Sequence, residues 1–419
     1  MSRLRIRVGV YLDADPGTGG QAQYALTVLE SLQGYSEQFE LIAYCSWRYW
    51  QDVCDERGIA HKRVVPLRLP WCAKAVAKLI RSLTQSQIAP GWYQQLFARR
   101  IRRDRIDVCF FPVPTTLFKR IDAVSICPIH DLMYKYERAT LNPGADRDYA
   151  HYDSLFREDA YYEELYAMIL AYASVVLVDA ELGEEHIRET FSDIRARIVV
   201  LAFCAPRHVD EYREAQLHDP QALAERIAPA VSAVTTAPYL YYPAMHRPDK
   251  NHLGIIRALK ILQDRGIVCN VVFSGGFGPI TATIKAEIEA LGIRGTVHFL
   301  DYVSNEELCY LFAHAVALVM PTFAGPTNIP PLEAMALGCP VLISELYAMP
   351  DQAGGAAIHF DPDSPHAIAD AIERVWTDPD ERARLIERGY LRSAELGFPV
   401  FADRLRRVIC EAVDRPDTV

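Results

Sequence analysis

Residues 321–340 read PTFAGPTNIPPLEAMALGCP, and they mark one junction between a strand and a helix. The apolar run 316–320 before them predicts a buried strand, which ends at the loop containing glycine and prolines. Pro330 and Pro331 predict a helix start, because the first helical residues need no N–H donor. Gly338 predicts the end of that short helix. A strand, a loop, a short helix and a further strand are typical of a parallel α/β sheet.

Strands alternate with helices on both sides of this junction. Strand candidates in the first half of the chain lie at 6–11, 41–45, 108–112, 124–129, 175–178 and 198–201. A second series of strands begins at 239–242 and continues at 268–273, 297–300, 316–320 and 340–343. Helices are predicted between them, the main ones at 147–171, 253–262 and 305–314. Two such series predict an α/β protein with two doubly wound, Rossmann-like domains that face each other across a cleft.

A break in the alternation sets the predicted domain boundaries. Residues 1–207 form the N-terminal domain and residues 239–395 form the C-terminal domain. Residues 208–238 are charged and then rich in alanine, so we interpret them as a connection. Residues 396–419 are predicted as a terminal helix that returns toward the N-terminal domain. The length of 419 residues agrees with two domains.

Composition excludes several classes of protein. Half of the residues are hydrophobic and 23% are charged, as in folded globular proteins. A net charge of −10 argues against general nucleic-acid binding. The ten cysteines show no metal-ligand spacing, and no apolar run approaches the ~20 residues that span a bilayer. We therefore predict a cytoplasmic protein whose cysteines are small core residues.

Residues 62–105 form a strongly basic segment within this acidic chain. The segment has 11 basic residues and one acidic residue, a net charge of +10, so the rest of the chain carries −20. Aromatic and aliphatic residues are interleaved with the basic ones, and 73–83 predicts a short basic amphipathic helix. This mixture suits an anionic membrane surface. A solvated helical face with aromatic residues in the core explains it equally well.

Glu333 is the candidate acidic group of the junction. It lies in the first turn of the predicted helix, where the helix dipole favours a carboxylate. A carboxylate there can accept two hydrogen bonds from a ribose diol, and free N–H groups at the same helix end suit a diphosphate. The alternative is that Glu333 only stabilises its helix.

The turn YPAMHRPDKNH at 242–252 is the candidate basic site. It follows the first strand of the second series and precedes a helix. Lys250 is a flexible point charge suited to a phosphate, and Arg247 offers a bidentate contact. The alternative is a solvated basic turn.

Residues 330–341 resemble the second half of the signature of glycosyltransferase family 4, whose members have the GT-B fold and retain anomeric configuration. The family signature has two glutamates separated by seven residues. Glu333 matches the second glutamate, whereas the first falls on Gly325, a departure that affects how a donor sugar is oriented. The resemblance implies that main-chain N–H groups of the loop hold sugar hydroxyls. These groups belong to Thr327, Asn328 and Ile329.

Other positions of the second series match the family less specifically. Lys250 matches the family's Lys–Asn turn, which carries the lysine of the donor diphosphate, while Arg247 lies away from the usual arginine position. Gly275 follows a buried strand in a phosphate-compatible turn, although glycines commonly only permit tight turns. Tyr302 and Val303 resemble the segment flanking the nucleoside base, and ordinary packing at a strand end is the alternative.

The first series has two matches. Gly19 and Gly20 resemble the family's glycine loop near the donor phosphate and the acceptor. His130 resembles the histidine of a His–Asp–Leu turn that reaches the reaction centre, although a packed structural histidine is the alternative. Asp13 and Asp15 invite a metal interpretation, which we reject because the GT-B type needs no such metal.

The resemblance implies a hexosyltransferase that moves a mannose-like or glucose-like hexose from a GDP- or UDP-sugar to an acceptor hydroxyl. It implies no cofactor and no metal. The predicted acceptor is a saccharide, including a lipid-linked saccharide of surface polysaccharide synthesis, and the predicted location is cytoplasmic or peripheral on the inner membrane face. One alternative is a sugar-nucleotide 2-epimerase of the same fold. The other is a catalytically degenerate binding or scaffold protein, which Gly325 keeps open.

Overall fold

The computed structural model describes residues 5–64, 91–132, 135 and 159–414. The chain divides into two compact units. The first unit comprises Met1–Tyr134, Glu158–Ala202 and Pro399–Val419, and the second comprises Lys135–Arg157 and Phe203–Phe398.

A seven-stranded parallel sheet forms the first unit. Its strands are β1 (Ile6–Leu12), β2 (Phe39–Cys45), β3 (His61–Arg63), β4 (Val108–Phe110), β5 (Val124–Pro128), β6 (Val175–Val178) and β7 (Arg197–Val200). Their order across the sheet is β3-β2-β1-β4-β5-β6-β7. The helices include α1 (Gly20–Gln33), α2 (Arg48–Glu56), α3 (Gly91–Arg103), α4 (Asp159–Tyr172) and α5 (Glu181–Thr190). Strands β4 and β6 are buried along their length and β1 over its last five residues, as expected for a parallel sheet covered on both faces.

A six-stranded parallel sheet forms the second unit. Its strands are β8 (Tyr239–Pro243), β9 (Asn270–Ser274), β10 (Val297–Phe299), β11 (Ala317–Met320), β12 (Val341–Ser344) and β13 (Ala357–Phe360). Their order is β10-β9-β8-β11-β12-β13. The helices are α6 (Arg207–His218), α7 (Pro220–Glu225), α8 (Pro229–Val234), α9 (His252–Asp264), α10 (Thr281–Leu291), α11 (Asn305–His314), α12 (Pro330–Ala336), α13 (Met349–Ala353), α14 (Pro365–Thr377) and α15 (Pro379–Glu395).

The two sheets confirm the prediction of two doubly wound α/β domains. Two edge strands, β3 and β13, were not predicted. β3 has only three residues, all of them basic or histidine, so it gives no apolar signal. β13 reads AIHF, which is too short to show a period. Edge strands need less apolar surface because one side of the strand has no neighbour.

Residues 208–238, which we interpreted as a connection, are largely helical. They contribute to α6, α7 and α8, and buried side chains of these helices join the core of the second unit. Val209 and Tyr212 on α6 and Leu223 on α7 are among them. The helices escaped prediction because each has few apolar residues on one face. The final helix, α16 (Phe398–Asp414), lies in the first unit from Pro399 onward.

Two predicted helices fall partly or wholly outside the described residues. The basic helix at 73–83 lies outside them entirely. Of the helix at 147–171, the structure describes the part that forms α4.

Candidate active site

The candidate site of the second unit lies at the carboxyl ends of its strands. β8 and β11 are neighbours in the sheet, yet the chain leaves β8 toward β9 on one side and β11 toward β12 on the other. Ligands of open α/β sheets bind at such a switch point, outside the carboxyl ends of the strands. The turn after β8 carries Arg247 and Lys250, and the loop after β11 leads to Glu333. The topology therefore brings the two strongest sequence motifs to one edge.

A buried aspartate contacts the side chains of both candidate basic residues, Arg247 and Lys250. Asp249 is 1% exposed, and its Oδ1 accepts a hydrogen bond from Arg247 Nε at 2.9 Å. Its Oδ2 lies 3.5 Å from Lys250 Nζ. Both basic side chains remain partly exposed, so each can turn its charge toward an anion. The arrangement is a cationic turn built on a buried carboxylate.

The same aspartate ties the turn after β8 to the loop after β11. Its main-chain oxygen accepts hydrogen bonds from Thr322 Oγ1 at 3.0 Å and from Phe323 N at 2.8 Å. Thr322 is fully buried. Asn251, with φ of 51°, ends the turn and caps α9 by accepting a hydrogen bond from Gly254 N. The position of Lys250 is therefore fixed on both sides by main-chain contacts.

Gly275 brings the turns after β8 and β9 into close contact. It has φ of 108°, and a Cβ there would lie 2.9 Å from the carbonyl carbon of Ala244. The main chains of the two turns are also joined by the hydrogen bond from Ala244 N to Ser274 O at 2.8 Å. Both the backbone conformation and the available space thus require glycine at this position.

Tyr302 and Val303 follow β10 on the same edge of the sheet. Gly275 N donates to Asp301 O at 3.3 Å, which joins this segment to the turn after β9. The Tyr302 ring lies over the main chain of Gly276, since a Cβ on Gly276 would come within 2.6 Å of Tyr302 Oη. Tyr302 is nevertheless 62% exposed, and Val303 is half-buried. The segment presents an aromatic face to solvent.

Gly325 adopts a conformation that the expected glutamate would strain. Its φ is 89°, and a Cβ would meet Thr327 O at 3.1 Å and Asn328 Nδ2 at 3.4 Å. The backbone at position 325 therefore favours glycine over the glutamate of the family signature. A side chain at 325 requires the loop to take another path.

In the loop after Gly325, one of the three predicted N–H donors is already hydrogen-bonded within the protein. Asn328 N donates to Gln352 Oε1 at 3.0 Å, and Gln352 Nε2 donates back to Asn328 O at 2.7 Å. The Asn328 N–H group is therefore already paired in this conformation, and its binding of a sugar hydroxyl stays a prediction. Sequence spacing could not reveal this partner, since Gln352 lies on α13. Thr327 is buried and Ile329 is half-buried at the start of α12.

Glu333 lies in the first turn of α12, as predicted. It is 5% exposed, and burial raises the pKa of its carboxyl group to about 7. The nearest basic group among the described residues is His208 on α6, whose Nε2 lies 3.6 Å from Glu333 Oε1. Helix α12 has only seven residues, so its dipole is weak and the charge of a bound anion falls mainly to the turn after β8.

Two residues brought to this site were not selected from the sequence. Asp249 lies between the two candidate cations, and its burial was the missing signal. The order Pro248, Asp249, Lys250 places an acidic residue directly before the candidate lysine, and this order could have indicated the role of Asp249. His208 had no sequence signal, because it comes from the segment interpreted as a connection.

The candidate residues of the first unit share the carboxyl edge of the other sheet. Gly19 and Gly20 follow β1, at the point where the chain order switches between β1 and β4. Gly19 has φ of 57° and precedes α1. His130 follows β5, and its ring packs edge-on against Tyr24 of α1 with 4.6 Å between centroids. Burial lowers the pKa of His130 to about 4, so its imidazole is neutral at pH 7.

The two aspartates of the first loop have partners within the protein. Asp15 Oδ1 caps the turn Pro16–Thr18 by accepting from Gly17 N at 2.9 Å. Asp13 Oδ1 accepts from Ser46 Oγ. In the part of the chain that the structure describes, no cluster of three or more His, Cys, Asp or Glu side chains could hold a metal ion. Independence of metal ions stays a prediction.

The described ends of the basic segment are folded into the first unit. Lys62 pairs with buried Asp104, and Arg100 Nη1 donates to Arg63 O at 3.1 Å. On α3, Trp92 is 63% exposed and Leu96 is 53% exposed. The two side chains lie four residues apart, on one face of the helix. Among residues 5–64, 91–132 and 159–414, no helix is both long and apolar enough to cross a membrane.

Residues 224–392 match the family model described as Glycosyl transferases group 1. The O-antigen chain mannosyltransferase B of Escherichia coli is 29% identical over 161 residues, which are 38% of this chain and 42% of that protein. The chain thus spans about two fifths of the length of the curated relatives it matches.

Solved structures resemble the chain over nearly its whole length. Sucrose-phosphate synthase from Thermosynechococcus elongatus aligns with a TM-score of 0.71 at 17% identity, covering 98% of this chain and 100% of that one. HepE of Anabaena, solved in complex with UDP-glucose, aligns with a TM-score of 0.66 at 13% identity, covering 96% and 99%. At these identities the likeness shows the fold alone. Residues 224–392 thus match the Glycosyl transferases group 1 family model, within a chain that has the GT-B fold.

Proposed function

We propose that the protein is a retaining hexosyltransferase that takes a mannose-like or glucose-like hexose from a GDP- or UDP-sugar. The observation that carries this proposal is the cationic turn of Arg247 and Lys250 on buried Asp249, next to the loop that leads to Glu333. In this proposal the turn binds the diphosphate and Glu333 binds the ribose. Tyr302 and Val303 flank the base, and Gly275 lets the diphosphate approach the main chain.

The proposed reaction breaks the bond between the sugar C1 and the diphosphate oxygen. The acceptor oxygen attacks C1 from the face that the leaving group vacates, so the anomeric configuration is retained. The acceptor proton passes to the departing diphosphate. Lys250 and Arg247 stabilise the negative charge that develops there. No metal is required in this scheme, because these two cations neutralise the leaving group.

The candidate residues of the first unit also have roles in this proposal. Gly19 and Gly20 leave room for the donor phosphate and the acceptor, because neither glycine has another atom within 4 Å of an added Cβ. His130 binds a hydroxyl of the donor sugar. A neutral imidazole suits this task, since it can donate one hydrogen bond and accept another.

We further propose that the acceptor is a lipid-linked saccharide of surface polysaccharide synthesis, reached at an anionic membrane. Support comes from the O-antigen relative and from α3, whose exposed Trp92 and Leu96 lie beside arginines. The protein should sediment with anionic liposomes at low salt, and the double variant Trp92→Ala, Leu96→Ala should sediment less. Leu217→Ala, at an 85% exposed position of the other unit, is the matched control. Equal sedimentation of the double variant and the control would remove α3 from the proposal.

A catalytically degenerate sugar-nucleotide-binding or scaffold protein is the second candidate. Gly325 favours it, because the backbone at this position disfavours the family's first glutamate. A transferase releases free UDP or GDP only when the acceptor is present, whereas a binder releases neither. The test is therefore to incubate the protein with UDP- and GDP-hexoses, with and without lipid-linked saccharide acceptors. Acceptor-dependent release supports transfer. Tight donor binding without release across the acceptor series supports the degenerate candidate.

A further inference from the structure

His208 and Glu333 face each other inside the second unit. His208 is the second residue of α6, and Glu333 lies in the first turn of α12. Their side chains are 13% and 7% exposed, and 3.6 Å separates His208 Nε2 from Glu333 Oε1. The contact joins α12, which carries the family motif, to α6, which lies in the segment predicted to be a connection.

Neither polar group has a hydrogen bond within the described residues. His208 Nε2 is buried without a partner, and 3.6 Å to Glu333 Oε1 is too long for a hydrogen bond. Buried polar groups are normally paired, so Glu333 is the available acceptor nearest to His208 Nε2. The two groups become partners if they approach each other by less than 1 Å.

The ionisation states fit a donor and an acceptor. Burial lowers the pKa of His208 to about 4, so its ring is neutral at pH 7 and carries one N–H. The other titratable groups that sense Glu333 are Tyr241 on β8 and Cys309 on α11. Burial raises the pKa of both, so they are uncharged at neutral pH. An ionised Glu333 therefore has His208 as its only described basic neighbour.

We propose that His208 is the positioning residue of Glu333, and that its Nε2–H donates to the carboxylate while that carboxylate accepts hydroxyl hydrogens from a ribose. The part of this inference that concerns ribose binding by Glu333 rests on the proposed function. One carboxylate oxygen is then held by the protein, which orients the group toward a vicinal diol. Recognition of a ribonucleotide over a 2′-deoxyribonucleotide is the expected consequence.

The experiment compares wild type with His208→Phe and His208→Gln. Phenylalanine fills the space without a donor, whereas the glutamine amide restores a donor near the position of Nε2. UDP, GDP and their 2′-deoxy analogues are titrated calorimetrically from pH 6 to pH 9. We expect His208→Phe to weaken ribonucleotide binding about tenfold, the effect of one hydrogen bond to a charged group. We expect His208→Gln to recover most of this loss, and binding of the 2′-deoxy analogues to change less.

A second readout needs no nucleotide. The titration of the Glu333 carboxyl group in the free protein can be followed by carbon NMR, assigned with Glu333→Gln. In this proposal the His208 Nε2–H closes onto the carboxylate when Glu333 ionises, and so favours the charged form. Loss of the donor should therefore raise the pKa of Glu333 in His208→Phe and leave it near the wild-type value in His208→Gln.

The inference is overturned if His208→Phe leaves the Glu333 titration unchanged, or if the two His208 variants weaken ribonucleotide binding equally. A different result contradicts the proposed function: wild-type protein that binds neither UDP nor GDP. In that case the NMR titration still decides whether His208 acts on Glu333.

Discussion

At the scale of single residues, the site depends on two polar groups buried against their usual preference. Asp249 has two cationic partners, so its charge is compensated. Glu333 has none within hydrogen-bond distance among the described residues, and burial raises its pKa to about 7. A group held in this way costs stability in the free protein and is available for a ligand.

The Glu333 carboxyl group makes stability depend on pH in a direction that can be checked. Its pKa rises from 4.5 in the unfolded chain to about 7 in the folded protein. The folded state therefore disfavours the charged form, and stability is lost as the pH rises from about 4.5 to about 7. Glu333→Gln should raise the free energy of unfolding at pH 8, on the order of 3 kcal/mol, and change it little at pH 4. Denaturant unfolding at the two pH values measures this. A variant that is destabilised at both would show that the carboxyl group has stabilising contacts in the folded protein.

Gly325 is a second residue whose substitution has a predictable effect on stability and transfer. Gly325→Glu restores the family's first glutamate on a backbone with φ of 89°. We expect the strain to lower the free energy of unfolding by about 1–3 kcal/mol, without a gain in transfer rate. Gly295→Ala is the control, since a Cβ there meets nothing within 4 Å. Unchanged stability together with faster transfer would mean that the loop readily takes the family's usual path.

At the scale of elements, the turns that follow β8, β9, β10 and β11 are joined through their main chains. Ala244, Gly275 and Asp249 are the points of contact, so a change in one turn reaches the cations in another. This connection explains why short glycine and proline turns, rather than long loops, form the site. Short turns lose little entropy on ordering and hold their side chains firmly.

Gly275→Ala tests this connection. The added methyl would lie 2.9 Å from the Ala244 carbonyl carbon, so the turn after β8 must shift. We expect lower stability and at least fivefold weaker binding of UDP or GDP, because Lys250 moves with its turn. Gly292→Ala is the matched control, with φ of 67° but no atom within 4 Å of the new Cβ. It should show the backbone strain alone and bind nucleotide as wild type does. Equal nucleotide binding by both variants would argue against coupling between the turns.

At the scale of the whole molecule, much of the fold could be predicted from the sequence. Buried strands such as β8 and β11 are nearly all apolar or aromatic, and glycine and proline mark their ends, so their order along the chain was readable. The edge strand β3 and the helices α6 to α8 were not predicted, because burial across a sheet or against a core is not a local signal. Lys250 and Glu333 could be predicted because each lies in a local sequence motif. The contacts that the Asp249 main-chain oxygen and the side chains of His208 and Gln352 make could not, because they join segments that are distant in the sequence.

The most direct measurement is calorimetric titration of UDP and GDP into wild type and Lys250→Ala. Lys260→Ala is the control, because Lys260 is a partly exposed lysine on α9 that pairs with Asp264. We expect that one nucleotide binds wild type, that Lys250→Ala weakens its binding about tenfold, and that Lys260→Ala binds as wild type does. If neither nucleotide binds wild type, or if the two lysine variants behave alike, the donor site is not at the carboxyl edge of the second sheet.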